Sequence, residues 1–274
     1  MIPIGRSAEG AGYDLEIETR AEGNSSRDIR DEAIRQLPIS KLSRQGQSDA
    51  SRILRNVSLY RRLPTFEIDS DRRTYEFFVQ HPDVAVSMWR AMNISRVQMW
   101  QVGPLEYETD TRDGTIGTVQ VLYRSEQQCL ILCKGQFQSP MLPKPIEAWA
   151  MMHLQPHHKG QGKVVHTVDL FVWFPSTAVE TIAKIISPVS YRIADRNFEE
   201  VSLFVEMMSA AMMYHPDWVS HLAGRLDGVL PERPQQLMEV TTAVFKDAHR
   251  DRHEGMPVAT PTSPLSSTIL PPAP

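Results

Sequence analysis

The sequence predicts an α+β fold in which an antiparallel β-meander of five or six strands packs on a long helix, with further helices after it. Three observations predict it. From about Val97 to Phe174 the apolar residues recur with the period of strands, and turn residues such as Arg112-Asp113-Gly114 and Lys159-Gly160-Gln161-Gly162 separate them. From Pro175 onward the period changes to three and four, and methionine becomes frequent. The last strand of the run, Val164 to Phe174, is apolar on both faces and therefore needs a layer on each.

Residues 1 to 58 are polar, with glycines, serines and charges of both signs, and are expected to be mostly disordered. Within them only Arg27 to Leu37 keeps helical spacing, through Ile29, Ala33, Ile34 and Leu37, until Pro38 stops it. A short strand is predicted from Pro64 to Asp69, where Thr65-Phe66-Glu67-Ile68 alternates. Tyr75, Phe78 and Val79 then share a helical face. A second helix begins with Pro82 in its first turn and carries the stripe Val84, Ala85, Met88, Trp89 and Met92 before stopping at Asn93.

Strands are expected at 97–108, 115–124, 128–138, 146–155 and 163–174, with Pro140, Pro143 and Pro145 forming a rigid corner. Thr177 and Glu180 have capping-box spacing, and Val179, Ile182, Ala183 and Ile186 give a short helix ending before Pro188. The longest helix is expected from Asp195 to Tyr214. Phe198, Val201, Val205 and Met208 should face inward, Phe204 and Met212 should be partly buried, and Glu199, Glu200 and Glu206 should be solvated. Helices at 217–226 and 232–250 follow. The folded unit is thus one domain, 59–250, and residues 251–274 form a disordered proline-rich tail.

A net charge of −4 and a pI near 6.1 remove the basic field that a nonspecific nucleic-acid binder uses against phosphates. The N-terminus has no apolar signal-like region and no apolar run approaches the roughly 20 residues of a membrane span, so a cytoplasmic location is expected. Cys129 and Cys133 lie four steps apart on one strand, roughly 13 Å between Cα atoms, which is beyond the reach of a disulfide. They read as reduced core thiols.

The candidate site residues are few. His153 and His166 sit on consecutive strands and would face one another if the hairpin turned about Lys159 and Gly160, close enough to share a metal. No third ligand follows from the spacing, so no metal or other cofactor is implied. Asp169 lies among Thr167, Leu170, Phe171, Val172 and Trp173, so it is either satisfied by a cation or backbone donor, or buried with a raised pKa as an acid or base. Strand alternation places Asp169 and His166 on opposite faces. The glycine patterns lack the context of a phosphate loop, and no Gly-x-Ser-x-Gly elbow is present. Met207, Met208, Met212 and Met213 offer an adaptable apolar surface or ordinary packing.

The order of a short strand at Thr65–Asp69, two helices over Thr74–Met92, a meander through Phe174 and a long helix over Asp195–Tyr214 resembles the helix-grip fold of START-like and polyketide-cyclase-like proteins. That resemblance implies a sheet curled around the long helix and an enclosed hydrophobic ligand. It assigns no functional residue. The segment from Leu59-Tyr60-Arg61-Arg62-Leu63-Pro64 through the His-Pro-Asp helix also resembles uncharacterised bacterial proteins of the planctomycete type, and implies no activity.

Three readings follow. The first is a non-enzymatic binder of an apolar small molecule or lipid, in a cavity lined by Val168, Leu170, Val172, Val205, Met208 and Met212. The second is acid/base chemistry in that cavity by Asp169 with His166 or His153. The third is a scaffold for a partner protein, in which the stripe Leu237, Val240, Val244 and Phe245 is the docking face.

Overall fold

A computed structural model describes residues 17–138, 144–160 and 162–254 of the chain, without the side chains of 177–187 and 251–254. Pro140, Pro143, the capping pair Thr177 and Glu180, the stripe Val179 to Ile186 and the proline-rich tail lie outside the described residues or side chains. The strands are β1 (Glu18–Ala21), β2 (Leu59–Arg62), β3 (Thr65–Asp69), β4 (Gln98–Gly103), β5 (Glu106–Asp110), β6 (Thr115–Arg124), β7 (Cys129–Phe137), β8 (Ile146–Lys159) and β9 (Lys163–Trp173). The helices are α1 (Arg27–Gln36), α2 (Arg44–Arg55), α3 (Arg72–Gln80), α4 (Pro82–Ala91), α5 (Thr177–Tyr214), α6 (Pro216–Ala223) and α7 (Arg233–Glu254).

All nine described strands join one antiparallel sheet in the order β1-β3-β9-β8-β7-β6-β5-β4, with β2 also paired to β9. The α+β class and the meander packed on a long helix are as the sequence predicts. The strand count is higher, for two reasons. The expected strand 97–108 is a hairpin, β4 and β5, because Pro104 and Leu105 form a turn. The polar segment before β3 supplies β1 and β2.

The expectation of disorder up to residue 58 fails over 17–58. Ser43 caps α2 by accepting from the Gly46 N–H at 3.1 Å, and α1 and α2 lie on one face of the sheet. Their buried residues are small or isolated, Ala33, Leu37, Leu42, Ala50 and Ile53, and they meet Leu130, Leu132, Met151 and Phe171 from the strands. A sparse apolar content is enough here because the sheet supplies the other half of the core.

The opposite face carries α3 to α7. Phe66, Ile68 and Val164 pack there with Phe204, Val205, Met208 and Met212 of α5 and with Leu237 and Val244 of α7. So β9, apolar on both faces, has a helical layer on each. Leu237 and Val244 are buried in this core and Val240 packs against it, so most of the stripe offered to a partner protein is covered by the protein's own domain.

Helix α5 corrects the boundary placed at Pro188. It runs unbroken from Thr177 to Tyr214 with Pro188 inside. Proline removes one helical hydrogen bond and leaves a carbonyl a turn earlier without its donor. Pro188 and Val189 themselves are exposed. The inward stripe is as expected at Val205 and Met208, while Phe204 and Met212 are fully rather than partly buried. Glu200 and Glu206 are also buried, against expectation, because α6 and α7 and the β3 edge cover flanks of α5 that an isolated helix would leave wet.

Candidate functional site

The register of the β8–β9 hairpin decides what the candidate residues do. Lys159 pairs with Lys163, and the chain reverses between them with Gly162 at φ +72°. His153 is thereby set opposite Asp169, and His166 opposite Pro156. The expected juxtaposition of His153 and His166 does not form, and the two side chains lie on opposite faces of the sheet. Among the described residues no group of three His, Cys, Asp or Glu side chains is placed to hold a metal ion.

Asp169 has no accessible surface and sits on the α1/α2 face. Its Oδ1 accepts from the Tyr60 hydroxyl at 2.6 Å and from Arg62 Nε at 2.8 Å; its Oδ2 accepts from Arg62 Nη2 at 3.1 Å and from Gln155 Nε2 at 3.0 Å. The Gln155 amide also approaches His153 Nδ1 at 3.3 Å, and His153 Nε2 lies 2.9 Å from Gln128 Oε1. An amide donor on Nδ1 and a carbonyl acceptor on Nε2 fix the neutral Nε2–H tautomer. Burial lowers the His153 pKa, in keeping with that neutral form. Burial also raises the Tyr60 pKa, and the Asp169 carboxylate that accepts its hydrogen bond adds to the shift. Asp169 is therefore a carboxylate satisfied by four donors, with no face left for a substrate.

His166 is enclosed on the other face. The Tyr75 hydroxyl lies 2.9 Å from Nδ1, and Ser202 Oγ lies 3.0 Å from Nε2. The spacing of serine and imidazole is that of a nucleophile and base, but the chemistry is closed off. Ser202 donates to the Phe198 carbonyl at 2.7 Å and has no accessible surface, so it can only accept from His166. Burial pushes the imidazole pKa down to about 3. The sequence did not reveal Tyr60, Arg62, Gln128 and Gln155 around Asp169, or Tyr75 and Ser202 around His166. Their contacts span up to 109 positions, as from Tyr60 to Asp169, and leave no local pattern.

An apolar wall lies on the helical face. Val119, Cys133, Ala150 and Val172 are direct cross-strand partners in one rank, and Val121, Ile131, Met152 and Leu170 form the next. Helix α5 packs on β2 and β3 and α4 on β4, with these middle strands between them. Most of the wall is only half-buried. Cys133 is half-buried among them, and burial pushes its thiol up to about 12.

Of the expected lining residues, Leu170 and Val172 belong to this wall and are half-buried, and Val168 is buried one rank beyond. Val205, Met208 and Met212 are core residues. Met208 and Met212 have no accessible surface, so they touch no space large enough for water. At one end of the second rank Leu170 pairs with Arg61, whose guanidinium binds Asp195 of α5, with the Nε to Oδ1 distance 3.0 Å, and stacks over the Tyr191 ring. Beyond this clasp Val189 and Ile193 of α5 are 61% and 49% exposed.

No protein-family model and no curated protein matches the chain. Among solved structures it is similar to a conserved protein from Geobacillus kaustophilus, at 10% identity and TM-score 0.40, over 54% of this chain and 93% of that one. It is also similar to CalU16 from Micromonospora echinospora, at 10% identity and TM-score 0.30, over 70% of this chain and 90% of that one. Likenesses of this size carry no functional argument. Among the described residues no helix is long and apolar enough to cross a membrane.

Proposed function

We propose that this protein binds an apolar small molecule or lipid chain in a helix-grip-like recess between the middle strands of the sheet and α5. The observation that carries the reading is the wall itself. Eight cross-strand partners in two adjacent ranks, from Val119 to Val172 and from Val121 to Leu170, include no charged, hydroxyl or amide side chain. Such a surface gains by burial about 25 cal/mol per Å2 when an apolar ligand replaces water.

The acid/base reading has no comparable support, since Asp169, His153 and His166 are held by internal partners. Native mass spectrometry of protein purified gently from its own host tests the binder. The expected result is an apolar adduct that organic solvent removes, with Ala150→Trp, which fills the middle of the wall, purifying free of it. Absence of any adduct, together with no saturable uptake of the fluorophore 1-anilinonaphthalene-8-sulfonate by the wild-type protein, would overturn the proposal.

A further inference from the structure

The other face of the sheet holds a second, chemically different recess. Helix α2 covers the rank Leu132, Met151 and Phe171, and the ranks on the Trp149 side of it are open. One open rank runs unbroken across five strands, Trp100, Glu108, Thr118, Lys134 and Trp149, each the direct partner of the next. The rank beside it contributes Ile116, Gln136 and Glu147. Together they line an open groove of about 570 Å3. Four strand spacings separate the two indoles, roughly 19 Å.

The two tryptophans are held differently. Trp149 is fixed by Lys134 Nζ at 4.3 Å and the Arg52 guanidinium at 5.4 Å from its ring centre, and by an edge contact with Trp173. Trp100 is held through its indole N–H, 3.2 Å from Glu108 Oε2, and its ring faces make no aromatic or cation contact among the described residues. The groove therefore has a fixed end wall at Trp149 and an open aromatic platform at Trp100.

Its polar chemistry is mixed, and the carboxylates of Glu108 and Glu147 have no basic partner among the described residues. Lys134 is paired with the buried Asp49 at 3.3 Å, and Asp110 with Arg112 at 3.3 Å. Between the indoles stand an ammonium, a hydroxyl and an amide that can donate, beside carboxylates that accept. Ile116 is 55% exposed among them. An anionic ligand would meet the unpaired carboxylates of Glu108 and Glu147, and a purely apolar one would strand these groups without water. A chain bearing many hydroxyls, which both donate and accept and whose ring C–H faces stack on indole, satisfies both demands.

We infer that this groove is a binding site for a neutral oligosaccharide, lying across the strands from Trp100 to Trp149. The site is on the face opposite the apolar wall, so its fate is independent of the lipid reading. The test follows the indole N–H signals of 15N-labelled protein during titration with neutral tetrasaccharides of glucose, mannose, galactose and N-acetylglucosamine, with the monosaccharides and spermine as controls. At least one tetrasaccharide should shift the Trp100 signal saturably, and its monosaccharide should bind at least about tenfold more weakly. Trp100→Ala should weaken that binding about tenfold with an unchanged melting temperature, because the ring is a platform and not core. The inference is overturned if no tetrasaccharide moves the Trp100 signal, if spermine alone does, or if Trp100→Ala binds as the wild type does.

Discussion

Asp169 of β9 and Arg62 of β2 face each other across an antiparallel pairing, and the guanidinium binds both oxygens of a carboxylate that has no accessible surface. Removing the carboxylate strands the buried Tyr60 hydroxyl and the Gln155 amide and takes from Arg62 its main partner, at a cost of about 3 kcal/mol. Asp169→Leu should therefore lower stability steeply in urea or thermal melts. The double variant Asp169→Leu with Arg62→Met should recover a large part of the loss, since it removes both charges. A mild effect for Asp169→Leu alone would show that the network does not anchor β2.

Glu206 gives the protein a pH dependence of unusual sign for a carboxylate. Burial first, and then the Asp69 carboxylate, raise its pKa to about 7, with Lys163 and a hydrogen bond at the Asp69 backbone opposing. The folded state then binds the proton more tightly than the unfolded chain does. The stabilising contribution is complete below the unfolded value of 4.5 and is lost as pH rises through about 7. The loss is on the order of 3 kcal/mol. Glu206→Gln should flatten the fall in melting temperature between pH 5 and pH 8. An unchanged profile in that variant would place the titration elsewhere.

Val205→Asp should destabilise the whole domain, because Val205 is buried in the core between α5 and the sheet and the new charge would have no partner. Glu199 is exposed, and Glu199→Ala should be nearly silent. Glu200→Ala should not be silent, since its buried carboxylate accepts from Arg196 Nε at 2.9 Å. Three melting curves distinguish these cases.

Cysteine labelling probes the recess. Burial pushes Cys129 to about 11 and Cys133 to about 12, so only on the order of one Cys133 thiol in ten thousand is ionised at pH 8. N-ethylmaleimide should modify the native protein far more slowly than the urea-unfolded chain, and the rate should climb with pH. Rapid native labelling of Cys133 would mean an open surface instead of a recess.

Deleting residues 229–274 should lower thermal stability and expose apolar surface to a hydrophobic dye, because Leu237 and Val244 of α7 are core residues. A truncated protein as stable as the full chain, and deprived only of a binding partner, would return the α7 stripe to the role of an interface.

Much of the architecture is legible locally. The alternation in β6 to β9, the stripe Val205, Met208 and Met212, the Pro82 start and the Asn93 stop of α4 each follow from the chemistry of neighbouring residues. So does the separation of Asp169 from His166, because side chains three apart on a regular strand point to opposite faces. The site is less legible. Its apolar wall draws two residues from each of four strands, and Cys133 or Ala150 read alone is ordinary core.

What the sequence by itself determined is therefore the class of fold, the helix and strand periods, and the need for a layer on each face of β9. What only the tertiary structure decided is which residues meet. A shift in the centre of the β8–β9 turn replaced His166 by Asp169 as the partner of His153, since strand register is set by the turn and by the packing of whole faces. The segment 17–58 has a sparse apolar content of its own, yet Ala33, Ala50 and Ile53 need only complete a core whose larger half is the sheet. Pro188 forfeits a helical hydrogen bond, yet α5 continues past it. In each case the deciding energy comes from surfaces distant in the chain, which local composition does not encode.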